Sequence, residues 1–446
     1  MPYQLPTDPS ILNSDPLGIH DSDDARQFEV LDTLLETAII RITSNTTAVD
    51  IIPGLVEDIA YTIHGNGTLD ASHLRDYLLS KNNADSESFA FLLSTARSLS
   101  EHFPDHTLDT LSKDGDEIAC NGAQVNALLA HQFLGTLARP EGTSWGIPCF
   151  TDWFAGNPAH RQAVDGYLST ILDHFTQGGY PETMEFTFSM YTADGMPDPS
   201  ACDKLPNLHL HVVSEESEPS MATGEPFVLV AANSQPGPGA TATQEERLQS
   251  ASPALSTSAL FTPVLPDQAA VVTSVFPVHA AWKGHNRAAR LERLFGVEER
   301  PWRHYILADA LQLDDAEEEH DGLNDLQLGR VEREARKLFA AFIGVRKMQD
   351  RSSAANNTCV VEAGAWGCGA FGGNVLIKTV CMMIASAITG VEVHLTLLEQ
   401  RDVDIDAITA LLGSNFTARE LWKRISSPDV RSCRTINDFM HHLGLE

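Results

Sequence analysis

The sequence predicts an α/β protein in which an N-terminal all-α region, residues 1–182, precedes a sheet flanked by helices, residues 183–446. In the first region apolar residues recur at i, i+3, i+4 and i+7, the spacing of amphipathic helices. In the second region short apolar runs alternate with helical patterns, which is typical of a layered sheet covered by helices. The change of pattern near residue 183 indicates a boundary between two domains.

Three stretches predict the helices of the first region: FEVLDTLLETAIIRI, AQVNALLAHQFLGTL and HRQAVDGYLSTILDHF. Asn121 precedes the second stretch and Asn157-Pro158 precedes the third, as helix starts commonly do. Strands are predicted where apolar residues alternate or form short buried runs. These runs are MEFTFSMYT, LHLHVVS, PFVLVAAN, AAVVTSVF, HYILADAL, NTCVVEAG and VEVHLTLLE.

The chain of 446 residues carries a formal net charge of −31, which narrows its possible partners. A nucleic-acid footprint needs clustered Lys and Arg, so we expect no direct binding of a nucleic-acid duplex. No apolar run reaches the ~18 residues of a membrane span, and MPYQLPTDPS has no apolar signal segment. Seven scattered cysteines without a CxxC pair favour reduced thiols. We expect a monomeric nuclear or cytoplasmic protein that is not secreted and does not contact membranes.

Neither a metal ion nor a cofactor is expected from the sequence. It contains no HExxH motif, and the pairs His209/His211 and His441/His442 come closest to ligand spacing. His209 and His211 alternate along a predicted strand, where a core or edge position is commoner than a metal site.

The stretch AGAWGCGAFGGNVLIK, residues 363–378, places five glycines between a predicted strand and a predicted helix. Its G-x-G-x-x-G spacing imitates a dinucleotide-binding fingerprint, but only 47 residues follow the next strand, which ends at Glu399, too few for the rest of that fold. Glycines before a helix also let backbone amides approach a diphosphate. Trp366 and Phe371 offer flat faces to a base or ribose. The alternative is a tight turn whose aromatic side chains are buried in the core.

A second polar cluster follows the predicted strand PFVLVAAN, which ends at Asn233. The loop QPGPGATAT comes next, and Gln244-Glu245-Glu246 opens a predicted helix. Adjacent carboxylates beside a glycine loop suit glycoside hydrolysis, in which one group donates a proton to the leaving oxygen and its neighbour stabilises the oxocarbenium-like sugar. The alternative is an exposed acidic pair that complements the helix dipole.

Together the two stretches resemble the poly(ADP-ribose) glycohydrolases, macrodomain enzymes that cut poly(ADP-ribose). That family has a strand ending in Ala-Asn, a triple-glycine loop, Gln-Glu-Glu and, far downstream, Gly-Asn-Trp-Gly-Cys-Gly-Ala-Phe-Gly-Gly-Asp. This chain has Ala232-Asn233, then Gly-Pro-Gly, then Gln-Glu-Glu, and it keeps WGCGAFGG, residues 366–373, unbroken. DEIACNGAQVNALLAHQFLGTLARP is similar to the family's helical accessory region. The resemblance implies a macrodomain-like mixed sheet flanked by helices, with an N-terminal all-α accessory domain.

The resemblance also implies a role for each residue of the two motifs. Glu246 would be the catalytic acid, which protonates the departing ribose oxygen and then activates water toward the anomeric carbon. Glu245 would hold the ribose hydroxyls, Gln244 would support the loop, and Asn233 would contact the same ribose. Phe371 would pack against the ribose or the adenine. The other residues expected to contact the diphosphate or the rest of the ligand are Gly237, Gly239, Gly367, Gly369, Ala370, Gly372 and Gly373.

The chain departs from the family pattern at several positions. Pro238 replaces the middle glycine of the triple-glycine loop and so removes one backbone donor. The link from that loop to Gln-Glu-Glu, residues 240–243, is shorter than the family's six to eight residues. Ala365 and Asn374 replace an asparagine and an aspartate of the glycine-rich motif. His285 stands where the family has a tyrosine, and it would stack on adenine, hydrogen-bond a phosphate or lie merely exposed.

The resemblance implies hydrolysis of the ribose–ribose O-glycosidic bonds of poly(ADP-ribose), with release of ADP-ribose. Two alternatives stay open: an ADP-ribose reader that has lost hydrolysis, and a hydrolase of single ADP-ribose units on proteins. Retention of both glutamates disfavours the reader, because a reader needs neither. The expected binding partner is poly(ADP-ribose) or ADP-ribose.

Overall fold

A computed structural model describes residues 2–12, 18, 26–44, 47–63, 69–81, 86–140, 145–215, 217–218, 225–314, 322–351 and 359–445. Within these ranges the chain forms a central sheet with helices packed on both faces. The predicted α/β class, a mixed sheet flanked by helices, is confirmed. No helix of the described ranges is long and apolar enough to span a bilayer.

Helices dominate the first 182 residues, and all three predicted helices form. Asn121 caps the second of them, because its side chain accepts the backbone N–H of Gln124 while the Gln124 side chain accepts that of Asn121. The third begins at Arg161 rather than at Pro158. The elements are β1 (Tyr3–Gln4), α1 (Gln27–Thr43), α2 (Ala48–Ile63), α3 (Ser72–Ser80), α4 (Ser86–Arg97), α5 (Leu99–His102), β2 (Thr107–Leu108), β3 (Glu117–Asn121), α6 (Gly122–Leu134) and α7 (Arg161–Thr176).

Strands and helices alternate in the second region, and every predicted strand run contains a strand. The elements are β4 (Glu185–Thr192), β5 (Leu208–Val213), β6 (Ser217–Glu218), β7 (Phe227–Ala232), α8 (Gln244–Ala251), α9 (Ser258–Phe261), β8 (Ala269–Thr273), β9 (Phe276–Pro277), β10 (Ala280–Lys283), β11 (Arg290–Leu294), β12 (Trp302–Asp309), α10 (Arg330–Arg351), β13 (Val360–Ala363), α11 (Val375–Thr389), β14 (Glu392–Leu398), α12 (Asp402–Gly413), α13 (Ala418–Ile425) and α14 (Ile436–Leu443).

The central sheet has the strand order β3-β4-β8-β12-β7-β13-β14-β5, and β9 pairs with β12 beside this path. The strands from β12 to β5 run parallel, whereas β3, β4 and β8 join by antiparallel pairing, so the sheet is mixed. The carboxyl ends of β7, β13 and β14 therefore share one edge of the sheet. Ligands of α/β proteins bind at such edges, and the two sequence motifs both begin there.

Strand β3 falls within the predicted all-α region but pairs with β4 along its length. EIACN carries no strong apolar periodicity, so its extended form depends on the main-chain bonds to β4. The first region is thus helical with three short strands. It shares a continuous apolar core with one face of the sheet, and the predicted domain boundary after residue 182 stays a prediction.

Two apolar cores lie on opposite faces of the sheet. Along β12, Tyr305 and Leu307 enter the core shared with the N-terminal helices, whereas Ile306 and Ala308 enter the core built with α10 and α11. This alternation follows from the two-residue period of a strand. The sheet edge that carries the two motifs is consequently held from both sides.

Candidate functional site

A cleft of about 400 Å³ opens at the carboxyl ends of β7, β13 and β14. It brings the two sequence motifs together, although more than a hundred residues separate them in the chain. The predicted site residues that line it are Asn233, Gly237, Gly239, Gln244, Glu245, Glu246, His285, Gly367, Gly369, Ala370 and Phe371.

The backbone at the end of β7 is hydrogen-bonded to the side chains of Gln244 and Glu245 in the first turn of α8. The backbone N–H of Ala231 donates to Gln244 Oε1 at 3.0 Å, and that of Asn233 donates to Glu245 Oε2 at 2.7 Å. These bonds satisfy backbone donors where the strand leaves the sheet. They also fix the side chains of Gln244 and Glu245 against the floor of the cleft.

Glu246 caps its own helix. Its Oε2 accepts the backbone N–H groups of Thr241 and Thr243, at 3.0 and 2.9 Å, and its Oε1 accepts the Thr241 hydroxyl at 2.8 Å. Thr243 is the N-cap of α8, so Glu246 occupies the third position of a capping box. Oε2 thus holds two backbone donors, and Oε1 keeps a lone pair for another partner.

The two glutamates are buried, not exposed as a merely solvated acidic pair would be. Glu245 and Glu246 are 6% and 8% exposed. Gly239 lies directly against Glu246: a Cβ at Gly239 would come within 2.1 Å of Glu246 Oε1. Glycine at this position is therefore what lets the carboxyl oxygen sit at the cleft wall.

Glu245 holds a proton at neutral pH. Burial raises the pKa of Glu245 from its ordinary value of 4.5 to about 8; the bond from the Asn233 N–H opposes this shift, and the neighbouring charge of Glu246 adds to it. Gln249 Nε2 donates to Glu245 Oε1 at 3.0 Å. Gln249 Oε1 has no partner among the described residues, so a turned amide could instead accept the proton of a neutral Glu245.

The glycine turn, residues 364–373, links β13 to α11. Gly367 and Gly372 have φ of +71° and +68°, in the left-handed region that favours glycine. The N–H of Gly373 donates to the Gly367 carbonyl at 2.9 Å and closes the turn, and Asn374 caps α11. The turn therefore places its own residues Gly367, Gly369, Ala370 and Phe371 at the cleft, just ahead of α11.

The two aromatic residues of the turn have different positions. Trp366 is buried, and its indole N–H donates to the Ala308 carbonyl at 2.8 Å. Phe371 is half-buried and lines the cleft. Gly372 and Gly373 do not line it: a Cβ at Gly373 would meet the Gly367 carbonyl at 2.6 Å. Their predicted contact with a ligand stays a prediction.

A cluster of buried charged side chains lies behind the glycine turn. Lys378 Nζ is 2.9 Å from Glu334 and 3.3 Å from Asp325, and Asp325 accepts the N–H of Asn374. Burial alone lowers the pKa of Lys378, but the carboxylates of Glu334 and Asp325 outweigh it and raise that pKa, so the amine stays charged. A lysine inside the apolar run LIKTVCMM was the sequence signal for this cluster.

Two arginines of the cleft were missed by the sequence analysis. Arg139 comes from the chain after α6, and Arg401 follows β14; both line the cleft together with the exposed His285. Arg401 is placed by its contact with Asp404 at 3.3 Å. These cations give a strongly acidic protein a local positive rim on which an anionic ligand can settle.

The N-terminal region supports the loop between β7 and α8. The Trp153 indole N–H donates to the Gly239 carbonyl at 2.8 Å. Gly237 packs so closely on the chain at Ile147 that a Cβ would lie 2.5 Å from the Ile147 carbonyl oxygen. The proline at position 238 thus sits in a loop held on both sides by the helical region.

Replacing Glu245 with Gln should stabilise the protein more at pH 7.5 than at pH 5. The raised pKa means that the folded state keeps a proton that the unfolded state loses above about pH 4.5, so native stability falls as pH rises toward 8. Gln removes this loss, and one pKa unit equals about 1.4 kcal/mol. We expect Gln to raise the free energy of unfolding by at least about 1.4 kcal/mol more at pH 7.5 than at pH 5, measured by denaturant unfolding. Glu182→Gln, at an exposed position, is the control; equal gains for both variants would contradict the buried-proton account.

Comparison with known proteins agrees with the motifs. Residues 203–404 match the family model described as poly(ADP-ribose) glycohydrolase, macro domain fold. A glycohydrolase of this name from Deinococcus radiodurans, solved with ADP-ribose, is 14% identical over 47% of this chain and 87% of that chain, with a TM-score of 0.31. One from Thermomonospora curvata is 14% identical over 47% of this chain and 79% of that chain, also with a TM-score of 0.31.

The family match spans β5 to the start of α12 and includes both motifs. The resemblance predicted from the sequence is confirmed for residues 203–404, which match the poly(ADP-ribose) glycohydrolase family and its macro domain fold.

Proposed function

We propose that this protein is a poly(ADP-ribose) glycohydrolase, which hydrolyses ribose–ribose O-glycosidic bonds and releases ADP-ribose. The observation that carries the proposal is the pair of adjacent buried carboxyls, Glu245 and Glu246, that face the glycine turn across one cleft. Burial raises the pKa of the Glu245 carboxyl to about 8, and the Glu246 carboxyl accepts two backbone hydrogen bonds. Hydrolysis of a glycosidic bond needs such a pair of groups.

The glycine turn would hold the diphosphate of the substrate. Gly369 and Ala370 are exposed at the cleft, ahead of the N-terminus of α11. Amide N–H groups and the positive end of a helix favour an anion at this place. Arg401 and Arg139 add full positive charges at the rim. Phe371 offers the adjoining ring face against which a ribose or adenine packs.

Glu246 would act as the general acid and then as the general base. Oε2 is fixed by two backbone donors, so Oε1 is the oxygen free to hold a proton beside Gly239. That proton would go to the departing ribose oxygen, and the resulting carboxylate would take a proton from the water that attacks the anomeric carbon.

Glu245 would bind the ribose hydroxyls in its neutral form. A neutral carboxyl can donate as well as accept a hydrogen bond, which suits a hydroxyl partner. Its neutral state also spares the cleft a second negative charge beside the diphosphate. Asn233, whose N–H anchors Glu245, would contact the same ribose.

The short link between loop and helix supports catalysis rather than opposing it. Residues 240–243 include Thr241 and Thr243, which donate hydrogen bonds to the Glu246 carboxyl group. Ala242 between them has φ of +63°, a left-handed conformation that costs energy for alanine. The conformation of Ala242 lets the threonines on either side of it donate to the same carboxyl group. A reader of ADP-ribose would need no such arrangement.

Glu246→Gln should abolish hydrolysis while leaving ligand binding in place. Glutamine keeps a carbonyl oxygen for the two backbone donors but cannot transfer a proton, and general acid–base catalysis contributes about 10²–10⁴-fold. We expect the rate of ADP-ribose release from purified poly(ADP-ribose) to fall by at least about 100-fold, with the ADP-ribose Kd within about threefold of the native value. Glu182→Gln serves as the control with native rate. Tight binding of ADP-ribose by a native protein that releases none would instead identify a reader.

Gly369→Ala should weaken ADP-ribose binding without destabilising the fold. A Cβ at Gly369 meets no atom within 4 Å, so it would project into the empty cleft where the diphosphate is proposed to lie. We expect a Kd at least about tenfold weaker, or about 1.4 kcal/mol, by isothermal titration calorimetry. Gly296→Ala, which also meets no atom within 4 Å but lies outside the cleft, is the matched control. Equal affinities of the two variants would place the diphosphate elsewhere.

A further inference from the structure

Near the β5 edge, one face of the sheet carries exposed and partly exposed polar side chains. Along β14, Val393, Leu395 and Leu397 enter the apolar core, so Glu392 and His394 project from the opposite face. On the neighbouring strand, His394 is paired in register with His209 and Thr396 with His211. The histidine face, defined as His209, His211, Glu392 and His394, therefore gathers side chains of two parallel strands.

The groups of this face approach each other closely. His394 Nε2 lies 2.7 Å from Glu392 Oε1, and His209 Nε2 lies 3.6 Å from the same oxygen. One ligand atom from each of these three side chains lies within 4.8 Å of the other two. The His211 ring stands 4.9 Å from the His394 ring, centroid to centroid. Two imidazole nitrogens thus converge on one carboxylate oxygen at a solvent-accessible position.

We propose that His209, His394 and Glu392 bind a divalent transition-metal ion of the zinc type. Zn²⁺ takes imidazole nitrogens at about 2.0–2.1 Å and carboxylate oxygens at about 2.0–2.2 Å, usually with four ligands. Three protein ligands leave the fourth position to water, which the exposure of His209 allows. Tetrahedral geometry sets the ligand atoms about 3.4 Å apart, so the three side chains need only small rotations to close on the ion.

The ligand types of this site, two imidazoles and one carboxylate, favour some cations over others. Mg²⁺ and Ca²⁺ prefer shells built of oxygen atoms, whereas two imidazoles with one carboxylate suit zinc and its transition-metal neighbours. Asn207 Oδ1 lies 3.1 Å from His209 Nε2, a hydrogen bond that this nitrogen would give up to bind the ion. The Asn207 amide nitrogen lies 3.5 Å from Glu392 Oε2, the carboxyl oxygen outside the proposed ligand set. Partners of this kind orient metal ligands.

The ion would join the edge strand to its neighbour. Among the strands that the structure describes, β5 stands at the end of the sheet, next to β14. His209 belongs to β5, whereas Glu392 and His394 belong to β14. β14 continues into Thr396 and Leu398, which line the cleft. A metal cross-link would thus hold the outermost strand of the sheet against the strand that forms one cleft wall.

Equilibrium dialysis with zinc chloride tests the site. Other histidines and thiols can take up zinc, so the comparison of variants is decisive: native protein should bind one tight equivalent that His209→Ala and His394→Ala each lose. Removal of a partner outside the ligands already costs about 10–100-fold in affinity, so we expect at least about 100-fold for a ligand. His102→Ala, outside the histidine face, should bind as the native protein does, and excess Mg²⁺ should not compete.

A second readout is thermal stability. Saturating zinc should raise the Tm of the native protein and of His102→Ala, because the ion binds the folded state, and should leave both ligand variants unchanged. His209 is mainly exposed and His394 partly so, so neither truncation removes core packing. Native-like zinc affinity in both variants, or no tight equivalent in the native protein, would overturn the proposal. This inference is independent of the proposed hydrolase activity.

Discussion

The geometry of the candidate site depends on the hydrogen bonds made by the first turn of α8. Both of its glutamates accept backbone hydrogen bonds: Glu245 accepts the N–H of Asn233, the residue after β7, and Glu246 accepts two N–H groups of the loop that leads into the helix. A carboxyl held in this way cannot swing out into solvent. The sheet edge, the loop and the helix thereby share one set of hydrogen bonds, and burial in this setting raises the pKa of Glu245.

The rest of the fold stabilises the two walls that face this turn. The helical region supports one wall, since Trp153 binds the Gly239 carbonyl and the chain at Ile147 packs on Gly237. Buried charges support the other wall, where Lys378 lies under the glycine turn with two carboxylates. Buried charges are costly unless they are paired, and here Lys378 contacts both carboxylates while Asp325 also accepts the N–H of Asn374 at the end of the turn.

The sequence was most informative where a property is local. Strand periodicity and the glycine spacing predicted the elements and the cleft edge, because each depends on neighbouring residues alone. It could not distinguish the two aromatic residues of the turn, since burial of Trp366 depends on the Ala308 carbonyl of another strand. Arg139 and Arg401 were missed for the same reason: only the folded chain brings them to the cleft. His209 and His211 could be placed on one strand from the sequence, but their neighbours Glu392 and His394 could not, because β5 and β14 lie far apart in sequence.

Analysis of the products formed from purified poly(ADP-ribose) is the most direct test of the central claim. The account predicts that the native protein releases intact ADP-ribose, detected by mass spectrometry, because the bond broken is the glycosidic one beside Glu246 and the diphosphate is only held. Products cleaved within the diphosphate, or no products from a protein that is folded and binds ADP-ribose, would contradict it.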